Sequence, residues 1–329
     1  MAKQKILIVT HSADNSSTQI VIDHIREAGA EAIRLDVDRY PLETGLTTLY
    51  SAEGWRIQLT TDGMVHELED VTAVWYRRGY NLGKGLQTVV EAPYLPATIE
   101  EVKRTLLGMV EGLNAFHLGR NSVYRRLDSK EEQLKVAVRN GLLVPPTCIS
   151  NDPQQVSRFI DKHERVVSKM QSSFAIYREG EEEVVFTNTV NAAHLEQLDA
   201  LRYCPMVFQQ QLEKKLELRV TIVGQAIFAF SIDSQQTRDA KVDWRKEGAG
   251  MVNDWQPYLL PDYMQSRLLA FMDSYGLNYG AIDLILTPEE EYYFLEINAA
   301  GEYFWLDKLC HHAISRQIAA VLMESAPRR

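Results

Sequence analysis

The first apolar run of the chain covers residues 5–10 and is short and continuous, as in a buried strand. Residues 16–28 then repeat apolar positions at helical spacing and stop at Gly29, and residues 32–35 are strand-like again. A strand, a helix and a second strand in this order predict a βαβ unit, which builds a parallel sheet through a right-handed crossover. The start of the chain therefore predicts an α/β fold.

Shorter apolar segments follow this unit. Residues 48–75 alternate around Gly54 and the Asp62-Gly63 pair, which predicts small strands joined by turns. A long amphipathic helix follows at residues 97–113, so we expect the first lobe to end near residue 120. Because 329 residues exceed the size at which single cores usually stop growing, further lobes should follow.

The middle of the chain mixes helical and strand-like patterns. Residues 129–140 predict a helix with Gly141 at its C-cap, and Pro153 opens a second helix. Strand-like runs at residues 165–170, 183–188 and 206–210 predict three strands.

Two apolar runs near the end of the chain, residues 281–286 and 292–297, read as neighbouring strands joined by an acidic turn. Glu296 and Asn298 are two residues apart, so they share one strand face, and Asp283 projects toward them from the adjacent strand. These oxygen donors suit Mg²⁺, which commonly binds one or two carboxylates and completes its coordination with nucleotide phosphates. The alternative is an exposed polar strand face, which does not normally lie within such apolar runs.

The composition narrows the class of protein. A net charge of -10 argues against a general nucleic-acid binder, because phosphate affinity depends on clustered Lys and Arg. Cys148, Cys204 and Cys310 are far apart and odd in number, so they indicate reduced thiols rather than disulfides or a zinc site. No run is long enough for a signal peptide or a membrane span. We therefore expect a cytoplasmic protein with neither nucleic acid nor membrane as its partner.

Two lysines are candidates for phosphate contacts. Lys169 ends an apolar run, so its ammonium either extends to solvent or meets an anion such as phosphate. Lys130 lies at the start of a predicted helix, where a cation is unfavourable against the helix dipole unless an anion is bound nearby. The alternative for Lys130 is an ordinary exposed helix lysine.

Polar residues that follow the run at residues 206–210 are candidates for nucleotide contacts. Backbone groups leaving a strand near Leu212 can pair with adenine, and the side chains of Gln209 and Gln210 can reach the base or the ribose. A polar surface turn is the alternative.

Arginines supply the candidate catalytic cations. Glu217 and Arg219 share one strand face, and an arginine there can hold two oxygens of a phosphoryl group or acyl phosphate. An ion pair between these two residues is the alternative. Arg245 lies in a basic loop that either holds an acidic substrate or is a solvated turn.

In chain order, the following residues resemble the nucleotide and metal framework of the ATP-grasp superfamily: Lys130, Lys169, Gln209-Gln210, Glu217-Leu218-Arg219, Asp283 and Glu296-Ile297-Asn298. Further segments closely resemble the microviridin-type (graspetide) ligases, and within that family the ester-forming branch. They are residues 35–41, 74–78, 175–177, 216–219, 242–248 and 301–306, which span nearly the whole chain.

This resemblance implies an ATP-grasp fold with an N-terminal pre-ATP-grasp domain at residues 1–120. A central ATP-grasp lobe would cover residues 121–205, and a C-terminal lobe with the metal site would cover residues 206–329. It implies ATP and Mg²⁺ as cofactors, with Lys130, Lys169, Gln209, Gln210, Leu212 and Glu217 at the nucleotide. It implies Asp283, Glu296 and Asn298 at the metal, and Arg219, Lys169 and Arg245 as catalytic residues.

The resemblance also implies a substrate. A precursor peptide would bind through its leader, and core Glu or Asp carboxylates would be phosphorylated and closed into lactones by core Thr or Ser hydroxyls. Relatives of this type further imply a homodimer. Three alternatives stay open: a lactam-forming macrocyclase that uses Lys, an ATP-grasp ligase that joins amino acids or other amines to carboxylates, and a leader-binding scaffold without catalysis.

Overall fold

The computed structural model describes residues 4–171, 175–178, 181–184, 187–234 and 254–329, and has the mixed helix and sheet architecture that the sequence predicts. Its strands are β1 Lys5–Thr10, β2 Glu31–Asp36, β3 Gly45–Ser51, β4 Gly54–Thr61, β5 Met64–Glu67, β6 Val71–Tyr76, β7 Phe116–His117, β8 Thr147–Ser150, β9 Val166–Lys169, β10 Ala175–Arg178, β11 Glu181–Val184, β12 Asn188–Thr189, β13 Met206–Gln210, β14 Leu216–Val223, β15 Ala226–Ile232, β16 Gln256–Pro257, β17 Tyr279–Leu286 and β18 Tyr292–Asn298. Its helices are α1 Ser16–Glu27, α2 Leu95–Gly112, α3 Asn121–Leu127, α4 Lys130–Arg139, α5 Pro153–Lys162, α6 Ala192–Leu195, α7 Asp262–Asp273, α8 Phe304–Leu309 and α9 Ala313–Leu322.

The N-terminal sheet is parallel, in the order β2-β1-β6-β7. The helix α1 forms the crossover from β1 to β2, and its first turn is capped by Asn15, whose side chain accepts from Ser17 N. The strands β3, β4 and β5 form a separate antiparallel sheet whose turns use Gly54 and Gly63 at positive φ. The predicted βαβ unit and the predicted small strands are therefore both present.

A second sheet follows in the order β12-β9-β13-β8, and its neighbouring strands are antiparallel. The strand β13 matches the predicted run at residues 206–210 and lies between β9 and β8. This sheet therefore takes a strand from beyond residue 205. The helix α4 begins after Ser129, whose side chain accepts from Glu132 N, and the chain leaves it through Gly141 at a φ of 75°.

The largest sheet is antiparallel, in the order β16-β15-β14-β17-β18. One face packs on α7 and α4: Ile282, Leu284 and Phe294 of the sheet belong to the same buried cluster as Leu268 and Phe271 of α7. Because side chains alternate along a strand, the residues between these apolar positions point to the other face. That second face carries the predicted metal and arginine residues.

The end of the chain packs against its beginning. Helix α9 contributes Ile318 and Leu322 to a buried cluster that also holds Ile22 and Ile25 of α1. The N-terminal parallel sheet and the large antiparallel sheet are thus joined by a common core. Within the described ranges, no helix is long and apolar enough to cross a membrane.

Candidate active site

Three charged residues form a row across the large sheet. Arg219 on β14 lies opposite Asp283 on β17, and Asp283 lies opposite Glu296 on β18. Arg219 Nη1 donates to Asp283 Oδ1 at 2.9 Å and to Oδ2 at 3.0 Å, a contact that the sequence analysis did not predict. Arg219 does not use Glu217 as its partner in this geometry. Burial opposes its charge, but the nearby Asp283 raises the pKa of the Arg219 guanidinium, which stays cationic.

A β-bulge turns Glu296 toward this row. Asp283 pairs with Glu296, whereas the next residue, Leu284, pairs with Phe294, so Leu295 is left without a partner position. With a regular alternation, Phe294 and Glu296 would share one face. The bulge instead places Phe294 in the core at 0% exposure and Glu296 in the polar site.

Helix α4 places a lysine against the edge of the row. Lys130 Nζ forms an ion pair with the Glu296 carboxylate, so Lys130 is not an ordinary exposed helix lysine. Three residues further along the helix, the buried amide of Gln133 accepts from Ile297 N at 3.0 Å and donates to Ile297 O at 3.1 Å. Since β18 is an edge strand, Gln133 satisfies backbone groups that no further strand pairs, and this fixes Lys130 beside Glu296.

The donor set of the site suits a hard cation. Asn298 lies opposite Ala281, on the face that carries Asp283 and Glu296, and its Oδ1 accepts from Ala300 N at 3.0 Å. Two carboxylates with one amide oxygen are a ligand set that fits Mg²⁺. Among the residues that the structure describes, no group of three or more His, Cys, Asp or Glu side chains could hold a metal.

A second group of predicted residues lies on the sheet β12-β9-β13-β8, the central sheet of the chain. Lys169 at the end of β9 donates to Gln209 Oε1 at 2.9 Å, and Gln209 Nε2 donates to Thr147 Oγ1 at 2.9 Å. Gln209 is buried, so its amide fixes the direction of the lysine that sequence reasoning assigns to phosphate. The side-chain oxygen of Gln209 therefore binds Lys169, and the predicted contacts to the base and the ribose are left to the neighbouring residues.

A cavity of about 210 Å³ lies where β13 leaves the central sheet. Gln210 and Leu212 line it from one side, and Thr287, Glu291 and Tyr293 line it from the β17–β18 hairpin. Two of the predicted nucleotide contacts, Gln210 and Leu212, therefore line a cavity between two sheets.

Two predicted residues stand apart from these groups. Glu217 lies on β14, where its carboxylate accepts from Lys214 Nζ at 2.8 Å and from Ser234 Oγ at 2.5 Å. Arg245 lies outside the described residues.

The turn that follows β18, residues 299–302, approaches the row closely. Arg219 Nη2 donates to Glu302 O at 3.2 Å, and Tyr279 Oη donates to Gly301 O at 2.6 Å. Burial raises the pKa of Tyr279 to about 12, so its hydroxyl stays protonated and serves as a donor. No periodic pattern in the sequence marks this turn as part of the site.

The substitution Gly301→Ala tests this close approach. A Cβ at Gly301 would lie 2.6 Å from Ala281 Cβ and 2.8 Å from Arg219 Nη2, so the turn has to move. We expect a loss of about 1–3 kcal/mol in the free energy of unfolding, with a loss of activity, measured by urea denaturation and turnover. The control is Gly108→Ala in α2, where a Cβ meets nothing within 4 Å and stability should rise. Equal stability of the two variants would contradict the packing argument.

Comparison with known proteins shows which family this chain belongs to. The MvdD pre-ATP grasp domain family matches residues 5–125. A Chryseobacterium gregarium RiPP-associated ATP-grasp ligase, solved in complex with ADP and a leader and core peptide, is 51% identical over 99% of this chain and 98% of its own, with a TM-score of 0.96. The chain belongs to the microviridin-type ATP-grasp ligases.

Two solved macrocyclases from Microcystis aeruginosa MRC are also similar to this ligase. MdnC, bound with its precursor peptide MdnA, is 40% identical over 98% of this chain and all of its own, with a TM-score of 0.88. MdnB is 33% identical over 97% of this chain and 99% of its own, with a TM-score of 0.81. A search of curated proteins gave no match.

Membership confirms the predicted ATP-grasp fold and the predicted enzyme class. The chain is an ATP-dependent ligase. The use of Mg²⁺, the roles of its individual residues and the boundaries of its three lobes stay predictions. The row of Arg219, Asp283 and Glu296 brings three of the predicted site residues together.

Proposed function

We propose that the ligase closes side-chain rings in a ribosomally made precursor peptide within the cytoplasm. The identities of 51% and 40% to ligases solved with precursor-derived peptides, over nearly whole chains, support this substrate class. The leader of the peptide binds the enzyme, and the core enters the cleft beside the row of Arg219, Asp283 and Glu296. A leader-binding scaffold without catalysis would not need this row of charges.

The first step activates a carboxylate. An oxygen of a core Glu or Asp attacks the γ-phosphorus of ATP, a new P–O bond forms, the bond to the bridging oxygen breaks, and ADP leaves. Asp283, Glu296 and Asn298 would hold Mg²⁺, which would supply positive charge to the phosphate oxygens. Lys169 and Lys130 bind phosphate oxygens from the central sheet and from α4 respectively.

The second step closes the ring. The hydroxyl oxygen of a core Thr or Ser attacks the acyl carbon of the acyl phosphate, gives up its proton, and expels inorganic phosphate. Arg219, directed by Asp283, stabilises the negative charge that develops on the acyl phosphate and on the tetrahedral intermediate. Arg245 supplies a further cation. No nucleophile of the enzyme is needed.

The nucleotide binds in the cavity between the central sheet and the β17–β18 hairpin. Gln210 and Leu212 line this cavity and contact the base and ribose. Gln209 lies beneath them and holds Lys169 toward the phosphates.

The observation that carries this proposal is the cross-strand row of Arg219, Asp283 and Glu296 beside Lys130. It joins a pair of metal-binding carboxylates to a cation that is suited to an acyl phosphate. A site that only bound a peptide would have no use for this combination.

Mass spectrometry tests the bond that forms. We expect a cognate precursor peptide, incubated with the ligase, ATP and Mg²⁺, to lose one water per ring and to regain it on mild alkaline hydrolysis, because an ester is cleaved by base. The peptide incubated without ATP is the control. No mass change in a peptide that demonstrably binds the ligase would contradict the proposal.

Two other outcomes favour the alternatives. A loss of water that resists base indicates a lactam closed by a core Lys, and a gain in mass indicates a ligase that joins amino acids or other amines to carboxylates.

We further propose that the ligase is a homodimer, as its resemblance to this family implies. Light scattering of the purified chain at two concentrations measures this.

A further inference from the structure

Arg77 is a buried cation that extends from the N-terminal parallel sheet toward the candidate active site. It follows β6 directly, and its backbone N donates to Val9 O at 2.8 Å. Its side chain is only 1% exposed, although an arginine carries a full charge. Because an unpaired buried charge costs free energy, a buried arginine needs charged or hydrogen-bonding partners.

The guanidinium of Arg77 holds both sides of the 299–302 turn. Nη1 donates to Ala300 O at 2.8 Å, and Nη2 donates to Glu302 Oε2 at 2.6 Å. Between these two contacts lies Gly301, whose carbonyl accepts from Tyr279. The turn therefore has three successive residues held by side chains.

The same turn touches two residues of the proposed chemistry. Glu302 O accepts from Arg219 Nη2 at 3.2 Å, and Ala300 N donates to Asn298 Oδ1 at 3.0 Å. A displacement of the turn would thus change the direction of Arg219 and of the Asn298 amide.

Charge complementarity keeps Arg77 in place. Asp14 Oδ2 lies 3.9 Å from Arg77 Nε, and the Asp14 side chain is also 1% exposed. Burial raises the pKa of the Asp14 carboxyl, but hydrogen bonds from Thr10 and Thr18 and the charge of Arg77 lower it overall, so Asp14 stays ionised. Arg77 is therefore held between Asp14 and Glu302 in a fixed direction.

We infer that Arg77 is a positioning residue for the transfer chemistry, which acts by fixing the 299–302 turn and, through it, Arg219 and Asn298. This inference rests on the roles proposed above for those two residues. The N-terminal sheet then helps to support the active site, although the row of Arg219, Asp283 and Glu296 lies on a different sheet. The positioning role of Arg77 is distinct from the contribution of its ion pairs to the free energy of unfolding, since buried ion pairs are often weak stabilisers.

The test compares Arg77→Lys with Arg34→Lys. A lysine keeps the charge, but one ammonium cannot reproduce the planar fork that spans Ala300 O and the Glu302 carboxylate. Arg34 lies in the same sheet and contacts Asp36 and His11 O, away from the turn. We expect Arg77→Lys to lower kcat by roughly 10- to 100-fold with little change in the KM for ATP, and Arg34→Lys to leave both unchanged.

A double-substitution cycle separates positioning from a general effect on folding. Because Arg77 acts through Arg219, adding Arg77→Lys to an Arg219→Lys enzyme should cost much less than it does alone. Losses that multiply fully in the double variant would overturn the inference, as would unchanged kcat in Arg77→Lys.

Hydrogen exchange gives a readout that does not depend on the peptide reaction. Backbone amides of residues 299–302 should exchange about tenfold faster in Arg77→Lys than in the wild type, with no change in Arg34→Lys. Exchange that stays at the wild-type rate rejects the inference even where the enzyme is active. If the wild type closes no rings, the proposed function fails, and the exchange result still decides whether Arg77 holds the turn.

Discussion

Replacing Arg219 with alanine is expected to lower kcat for ring closure by about 10²- to 10³-fold, the usual effect of losing one donor that stabilises developing negative charge. The affinity for ATP should change little, because the proposed contacts of the base and phosphates come from the cavity lining and from Lys169. Rapid-quench measurement of ring formation, together with equilibrium binding of ADP and Mg²⁺, separates the two effects.

Two controls make the Arg219 result specific. Arg219→Lys keeps the charge but loses the fork that contacts both Asp283 and Glu302 O, so it should fall between alanine and the wild type. Arg34→Ala removes an arginine that pairs with Asp36 in the N-terminal sheet and should keep full activity. Thermal unfolding is followed in parallel, since Asp283 loses its partner. Wild-type turnover in a folded Arg219→Ala enzyme would show that this cation does not stabilise the transition state.

The second large effect is expected from Asp283→Asn and Glu296→Gln. Each substitution removes one of the two negative charges offered to Mg²⁺ and keeps the size of the side chain. We expect activity to fall at least about 100-fold at ordinary Mg²⁺ and to recover in part as Mg²⁺ is raised, because hard cations depend on carboxylate charge. The measurement is a titration of ADP release against Mg²⁺ concentration.

Glu290→Gln is the matched control for these two variants. Glu290 belongs to the turn of the same hairpin and pairs with Lys215, far along the strands from the row. Its removal should leave the Mg²⁺ dependence unchanged. Full peptide maturation by both Asp283→Asn and Glu296→Gln would favour a binding scaffold and would exclude the proposed metal site.

Local patterns in the sequence predict most of the secondary structure. The run at residues 206–210 corresponds to β13, and the capping signals at Ser129 and Gly141 mark the two ends of α4. These predictions succeed because hydrophobic periodicity and caps act within a few residues. The order of strands in the sheets depends on contacts between distant segments, so it cannot be read in this way. The position of β13 between β9 and β8 is an example.

The sequence also determines the chemical character of the candidate site. Asp283, Glu296 and Asn298 interrupt apolar strands, and Arg219 does the same on β14, so each is conspicuous without any structure. That Asp283 and Glu296 lie on neighbouring strands follows from their places in two consecutive apolar runs. The bulge at Leu295 does not, and it alone separates Glu296 from the core residue Phe294.

Only the tertiary structure reveals which residues support that site. Gln133 lies 164 residues before the backbone it binds at Ile297, and Arg77 lies 223 residues before Ala300. In the sequence, Gln133 is an ordinary polar residue of a predicted helix, and Arg77 belongs to the segment 74–78, which carries the family resemblance but shows no contact with residue 300. The sequence by itself determined the family, through its resemblance to known ligases, and it predicted the charged residues of the candidate site, because these depend on residue type and local spacing. The tertiary structure decided how those charges are aimed, because that depends on buried polar contacts between distant segments, which leave no local pattern.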